Sequence, residues 1–135
     1  MVEADVVIKA GFYDLDPMEV VWHGNYARFF EDARCALLDR LDYNYAEMRE
    51  SGFMWPIVDM RTKFVRPIRF NQTIRVTAKL VEYENRLRID YVIRDILTDE
   101  VLTKAQTIQV AVDLETEEMC FEVPQILIEK VRALE

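Results

Sequence analysis

Between positions 14 and 25 the chain collects Asp14, Asp16, Glu19, His23 and Asn25, side chains able to move protons or attack a carbonyl. An aspartate with an ordinary pKa near 4 is ionised at neutral pH, so Asp16 can activate water or act as a nucleophile itself. Pro17 keeps Asp16 out of the helical region. The competing reading of Asp16 is an Asx-turn residue ahead of that proline. Asp14 reads as a structural acceptor in a turn. His23 is the only histidine, and there is no GxSxG elbow, so a Ser-His-Asp triad is hard to build. A carboxylate-only mechanism stays open. Cys35 and Cys120 lie 85 residues apart without a CxxC pair or a second histidine, so no metal site is expected.

These residues need a scaffold. Residues 5–13 (DVVIKAGFY) read as a strand, and DLDPMEVVWHGN as a loop. From 26 to 41 the apolar positions Tyr26, Phe29, Phe30, Ala33, Leu37, Leu38 and Leu41 form one helical stripe. Asn25 fits an N-cap, with substrate or water orientation as its other possible role. The free amides at that helix start make an electropositive end close in sequence to Asp16. Glu31 and Arg34 read as a surface ion pair. NYAEMRES suggests a further helical turn stopping at Gly52.

Beyond it the period becomes two. Strands are expected over 58–65, ended or bent by Pro67, then over 74–80, 87–94 and 102–114. The short connectors FNQ, EYEN and TDE suggest antiparallel neighbours. PQILIEKVRAL suggests a closing helix. One helix and five strands make an α+β domain in which a curved sheet covers the helix on one side. Its other face is expected to keep apolar residues and its edges to stay open, which a second copy would remedy.

The chain has 135 residues, one domain's worth, and 51% of them are hydrophobic. Net charge is -8, from 17 basic and 25 acidic residues, which disfavours a nucleic-acid partner. The start carries no signal pattern and no apolar run approaches the roughly 20 residues of a membrane span. With two ordinary thiols, a cytoplasmic protein is expected.

Residues 14–34, DLDPMEVVWHGNYARFFEDAR, resemble the signature of the hot-dog-fold acyl-CoA thioesterases of the 4-hydroxybenzoyl-CoA thioesterase-like group. Asp14, Asp16, Val20, Val21, His23, Asn25, Tyr26, Glu31 and Arg34 carry the match. Pro67, QTIRV and VAVDLETEE follow as later landmarks. The resemblance implies a hot-dog fold, a curved five-stranded antiparallel sheet wrapped around one central helix, over a single domain of residues 1–135. It implies thioester hydrolysis with Asp16 as base or nucleophile, the backbone N–H of His23 as oxyanion donor, and a homodimer or homotetramer. No cofactor is implied, coenzyme A being part of the substrate. Tyr26, Phe29 and Phe30 would be core or acyl-pocket wall. One position departs from the pattern: the family usually has glycine where this chain has Glu19. A carboxylate there would reshape the pocket, repel Asp16, or point to solvent.

From 60 to 81 there are six basic residues and no acid. Of these, Arg61, Lys63, Arg66 and Arg69 are candidates to hold the phosphates of coenzyme A or an acidic acyl carrier protein; the competing reading is a solvated strand face. Rival functions are a non-catalytic acyl-thioester binding module, with Glu19 spoiling the catalytic geometry, and a dehydratase of the same fold, whose His and acid would need a different context from WHGNY.

Overall fold

A computed structural model describes residues 2–135. Strand β1 (Glu3–Lys9) is followed by α1 (Tyr26–Arg40), α2 (Tyr45–Glu50), β2 (Phe53–Met54) and β3 (Ile57–Phe64). Then come β4 (Thr73–Glu82), β5 (Leu87–Asp95), β6 (Val101–Gln109), β7 (Val112–Asp113) and α3 (Gln125–Arg132). The main sheet has five antiparallel strands in the order β1-β4-β5-β6-β3.

Helix α1 lies against β1 and β4 and turns its apolar stripe into the sheet. Phe29, Phe30, Ala33, Leu37 and Leu38 are fully buried. They meet the inward residues of alternating strands, among them Ile74, Val76, Ala78, Ile89, Tyr91 and Ile93. The Phe30 and Tyr91 rings lie 4.9 Å apart. This is the curved sheet around a central helix that the sequence resemblance implied.

Several boundaries differ from expectation. The first strand stops at Lys9, four residues early: the Ala10 N–H still bonds the carbonyl of Gln72 opposite it, but the Ala10 carbonyl accepts from Asn71 instead, and the Asp14 carboxylate, bonded to the Gly11 N–H, closes residues 12–14 into a short 3-10 turn. The last long strand is broken at 110–111. Its tail forms β7, which pairs with the two-residue β2 that the apolar pattern did not reveal. The largest correction concerns β3, which pairs with β6 and not with β4. The short connector around Phe70 is no hairpin: residues 65–72 cross the end of the sheet, bonding first to Leu102 and then to Val21 and Ala10.

The outer face of the sheet is also not apolar. Its positions on β4, β5 and β6 are mainly Arg75, Thr77, Lys79, Arg88, Asp90, Arg94, Lys104 and Gln106. Hydrophobic exposure is concentrated on edge strand β3 instead, at Val58, Met60 and Phe64. Cys35 and Cys120 are both free. No helix among the described residues is long and apolar enough to cross a membrane.

Candidate active site

Asp14 anchors the loop that carries the site. Its buried carboxylate accepts the Gly11 N–H at 2.9 Å and pairs with the guanidinium of Arg28 on α1. Its carbonyl accepts two further bonds, from the Trp22 N–H at 2.9 Å and the Asn25 side-chain amide at 2.8 Å. The main chain that reaches Asp16 is thus tied to the start of α1 from both sides. Asn25 is not the side-chain cap that its position suggested: it has helical backbone angles and no capping bond, its amide being committed to Asp14.

Residues 15–21 form a narrow hairpin. Leu15 bridges Val21, and Val20 bridges Arg69. At its tip the Asp16 N–H donates to the Val20 carbonyl and the Glu19 N–H to the Asp16 carbonyl, both at 2.9 Å. One carboxylate oxygen of Asp16 accepts the Met18 N–H at 2.8 Å, which fixes the side chain and leaves the other oxygen without a hydrogen-bond partner among the described residues. Glu19 closes the turn at φ 63°, the left-handed conformation in which glycine is unstrained. That geometry accounts for the glycine usual in the family. The exposed Glu19 lines a separate groove with Phe12, Leu15, Arg69 and Phe70 and is not among the residues lining the cleft that holds Asp16.

The Asp16 cleft has a volume of about 280 Å³ and is lined by Asp16, Met18, Val20, Val21, His23, Tyr26, Phe64, Val65, Arg66 and Pro67. Four of the candidate site residues singled out in the sequence therefore converge on it: Asp16, His23, Tyr26 and Arg66. Tyr26 is buried, its ring 4.9 Å from that of Phe64. Burial holds its phenol above the ordinary pKa, and the nearby Asp16 carboxylate adds to the effect. His23 is exposed and opens a 3-10 turn (His23–Asn25) leading into α1. Outside that turn, neither the His23 nor the Gly24 N–H has a main-chain acceptor among the described residues. The Trp22 indole lies over Gly24, and a Cβ there would meet the ring at 2.3 Å, so a side chain at this position would displace the half-exposed indole.

The four candidate cations line three separate depressions. Arg66 lines the Asp16 cleft and pairs with Glu100 at its rim. Arg69 lies in the Glu19 groove. Arg61 and Lys63 border a shallow depression on the outer face of the sheet with Lys104 and Asp90. Arg61 and Lys63 lie on β3, whereas Arg66 and Arg69 lie on the segment after it that crosses the end of the sheet.

Sequence reasoning missed Met18, Phe64, Val65 and Pro67 as cleft walls, since they arrive from two distant segments. It also misassigned Arg34. This residue makes no pair with Glu31; it is buried, with Nε donating to the Tyr45 hydroxyl at 3.1 Å and Nη1 to the Tyr91 hydroxyl at 3.3 Å.

The comparisons with known proteins agree with this architecture. The structure is similar to a DHNA-CoA thioesterase from Staphylococcus aureus, with a TM-score of 0.85 and 26% identity, over 99% of this chain and 93% of that one. A 1,4-dihydroxy-2-naphthoyl-CoA thioesterase from Synechocystis gives a TM-score of 0.85 over 98% and 97% of the two chains, and at 19% identity it speaks for the fold alone. In sequence, the "Putative acyl-CoA thioesterase YneP" of Bacillus subtilis (strain 168) is 29% identical over 76 residues, 56% of this chain and 55% of the relative. The chain spans about half the length of the curated relatives it matches. The model of the thioesterase-like superfamily matches residues 10–131. With nearly the whole hot-dog domain inside that match, this chain belongs to the thioesterase-like superfamily.

Proposed function

We propose that the protein hydrolyses acyl-CoA thioesters to a carboxylic acid and coenzyme A. The observation carrying this is that a carboxylate, Asp16, shares one partly apolar cleft with His23, the first residue of the turn that leads into α1. The carbonyl oxygen of a thioester sits toward the His23 and Gly24 N–H groups, where the negative charge that develops is stabilised by fixed dipoles. Removing one such donor typically costs on the order of a hundredfold in rate. Asp16 either takes a proton from an attacking water or attacks the carbonyl carbon directly. Direct attack expels the coenzyme thiolate and leaves a mixed anhydride for water to cleave. Tyr26 and Phe64 wall the acyl group, and Arg66 meets the coenzyme arm at the mouth. Asn25 acts as a positioning residue. No cofactor is needed beyond the coenzyme A of the substrate, and the cytoplasm, where acyl-CoA is made and used, is the proposed location.

A non-catalytic binding module would follow if Glu19 spoiled the site; that Glu19 lines a separate groove and not the Asp16 cleft supports the catalytic reading. Edge strand β3, with Val58, Met60 and Phe64 exposed, is the surface on which a second copy would pair.

The test is hydrolysis of a panel of acyl-CoAs by wild type and Asp16→Asn. Asparagine keeps an acceptor for the Met18 N–H, so the turn is retained. Turnover is expected to fall by about a hundredfold or more. Equal rates in the two proteins would overturn the assignment.

A further inference from the structure

Among the described residues lining the Asp16 cleft, Arg66 is the one lysine or arginine and Asp16 the one carboxylate. Opposite charges in a partly apolar space attract more strongly than they do in water. Paired with Asp16, the Arg66 guanidinium would occupy the carboxylate oxygen that the Met18 N–H leaves free, and would stand where a thioester carbonyl has to approach. Yet no ion pair within 4.0 Å joins the two among the described residues. Arg66 pairs with Glu100 instead.

The main chain sets up this other pairing. Pro67 keeps Arg66 out of the helical region, and the Val65 and Arg66 N–H groups both donate to the Leu102 carbonyl, at 3.0 and 2.9 Å. Glu100 ends the turn between β5 and β6, just ahead of Leu102 in the chain. Its carbonyl accepts the Asp95 N–H at 2.9 Å, and its N–H donates to the Thr98 hydroxyl at 3.2 Å. The neighbouring acid in that turn, Asp99, lies 4.0 Å from Arg94. Glu100 is therefore the acid that the turn places on Arg66. Both side chains are exposed, so the pair is weak and opens readily when an anion of the substrate arrives.

We infer that Glu100 is a positioning residue, which holds the Arg66 guanidinium at the mouth of the cleft and off the Asp16 carboxylate. This rests on the thioesterase reading above and adds to it how a base and a cation share one cleft without neutralising each other. Glu100 does not line the cleft. Its effect passes through Arg66, for which Asp16 is the carboxylate left in the cleft once Glu100 is removed.

The test uses Glu100→Gln, which keeps the size of the side chain and removes its charge. The substrate is an acyl group on pantetheine, which carries no phosphate to draw Arg66 away. Its kcat is expected to fall roughly fivefold, the most that an exposed ion pair ordinarily commands, and to recover in Glu100→Gln/Arg66→Gln. Added salt should also restore it, by screening the new pair. A kcat unchanged by Glu100→Gln, or a loss that Arg66→Gln does not relieve, would overturn the inference. Chemical denaturation gives a readout independent of turnover. Asp16→Asn and Arg66→Gln are expected to be additive in the wild-type background and non-additive in the Glu100→Gln background, where the two side chains meet. Additive losses in both backgrounds would overturn the inference. Coupling that appears only with Glu100→Gln upholds it even if no thioester is cleaved, an outcome that would instead sink the thioesterase reading.

Discussion

The Asn25 side-chain amide donates to the main-chain carbonyl of Asp14 at 2.8 Å, joining the turn that opens α1 to the short 3-10 turn that leads to Asp16. With the Trp22 N–H bonded to the same carbonyl, the Asp16 loop and the turn that opens α1 hold one relative position. Removing the amide leaves the residues in place and loosens their spacing. Asn25→Ala is therefore expected to lower kcat about tenfold to a hundredfold, the scale of a sub-ångström to ångström misplacement, at a stability cost of about 1 kcal/mol. Steady-state kinetics and urea unfolding measure the two effects. An unchanged kcat would show that this bond does not position the site.

Glu19 holds φ 63° without glycine's freedom. For an L-residue this conformation costs roughly 1–2 kcal/mol, of which glycine's larger unfolded-state entropy takes back part. Glu19→Gly is thus expected to stabilise the protein by about 0.5–1 kcal/mol in chemical denaturation. Hydrolysis should be unchanged, because the side chain faces the Phe12–Phe70 groove and not the Asp16 cleft. A substantial rise in KM would return Glu19 to the substrate-binding residues.

The legibility of the sequence follows from the range of the forces involved. Helix α1 was readable almost to the residue because Phe29, Phe30, Ala33, Leu37 and Leu38 are repeated contacts with one sheet, and periodicity records such contacts. The Asp16 hairpin was readable because a proline and an unusual dihedral occur within a few residues. Strand order was not: nothing local to FNQ distinguishes a tight hairpin from a crossing over the sheet end. The separation of Arg61 and Lys63 from Arg66 and Arg69 depended on that order. Arg34 lies on the stripe side of α1, but charge alone marked it as surface, and its tyrosine partners come from α2 and β5.

Edge strand β3 offers an unpaired row of main-chain groups beside Val58, Met60 and Phe64. Its exposed apolar side chains and its proximity to the cleft through Phe64 and Val65 make pairing with a second copy relevant to activity. Met60→Glu is expected to shift the protein to a monomer in light scattering, without loss of secondary structure, and to lower hydrolysis. Wild type running as a monomer would end this proposal.

Arg34 and Tyr91 meet in the core, where the guanidinium Nη1 donates to the phenol oxygen at 3.3 Å. Burial works against the Arg34 charge, but the Tyr91 and Tyr45 hydroxyls outweigh it and leave the guanidinium pKa above its ordinary value. Burial likewise raises the Tyr91 phenol, though Arg34 and Thr107 pull it down. Because Tyr91 also bonds Thr107 at 2.7 Å, the guanidinium, the phenol and the threonine form one chain between α1, β5 and β6. Arg34→Ala opens a cavity and leaves hydroxyls short of a donor, so a loss on the order of 2–4 kcal/mol is expected. Lysine, lacking the planar fork, should restore little. If the contact is a unit, Arg34→Ala and Tyr91→Phe will be non-additive by about 0.5 kcal/mol or more in a double-mutant cycle; additive losses would show two independent residues. The raised phenol also sets a sign in pH. The folded state holds the Tyr91 proton more tightly than the unfolded chain, so its contribution is complete below about pH 10 and is lost as pH rises through the folded value. Tyr91→Phe should flatten that alkaline decline in denaturation midpoints measured from pH 8 upward.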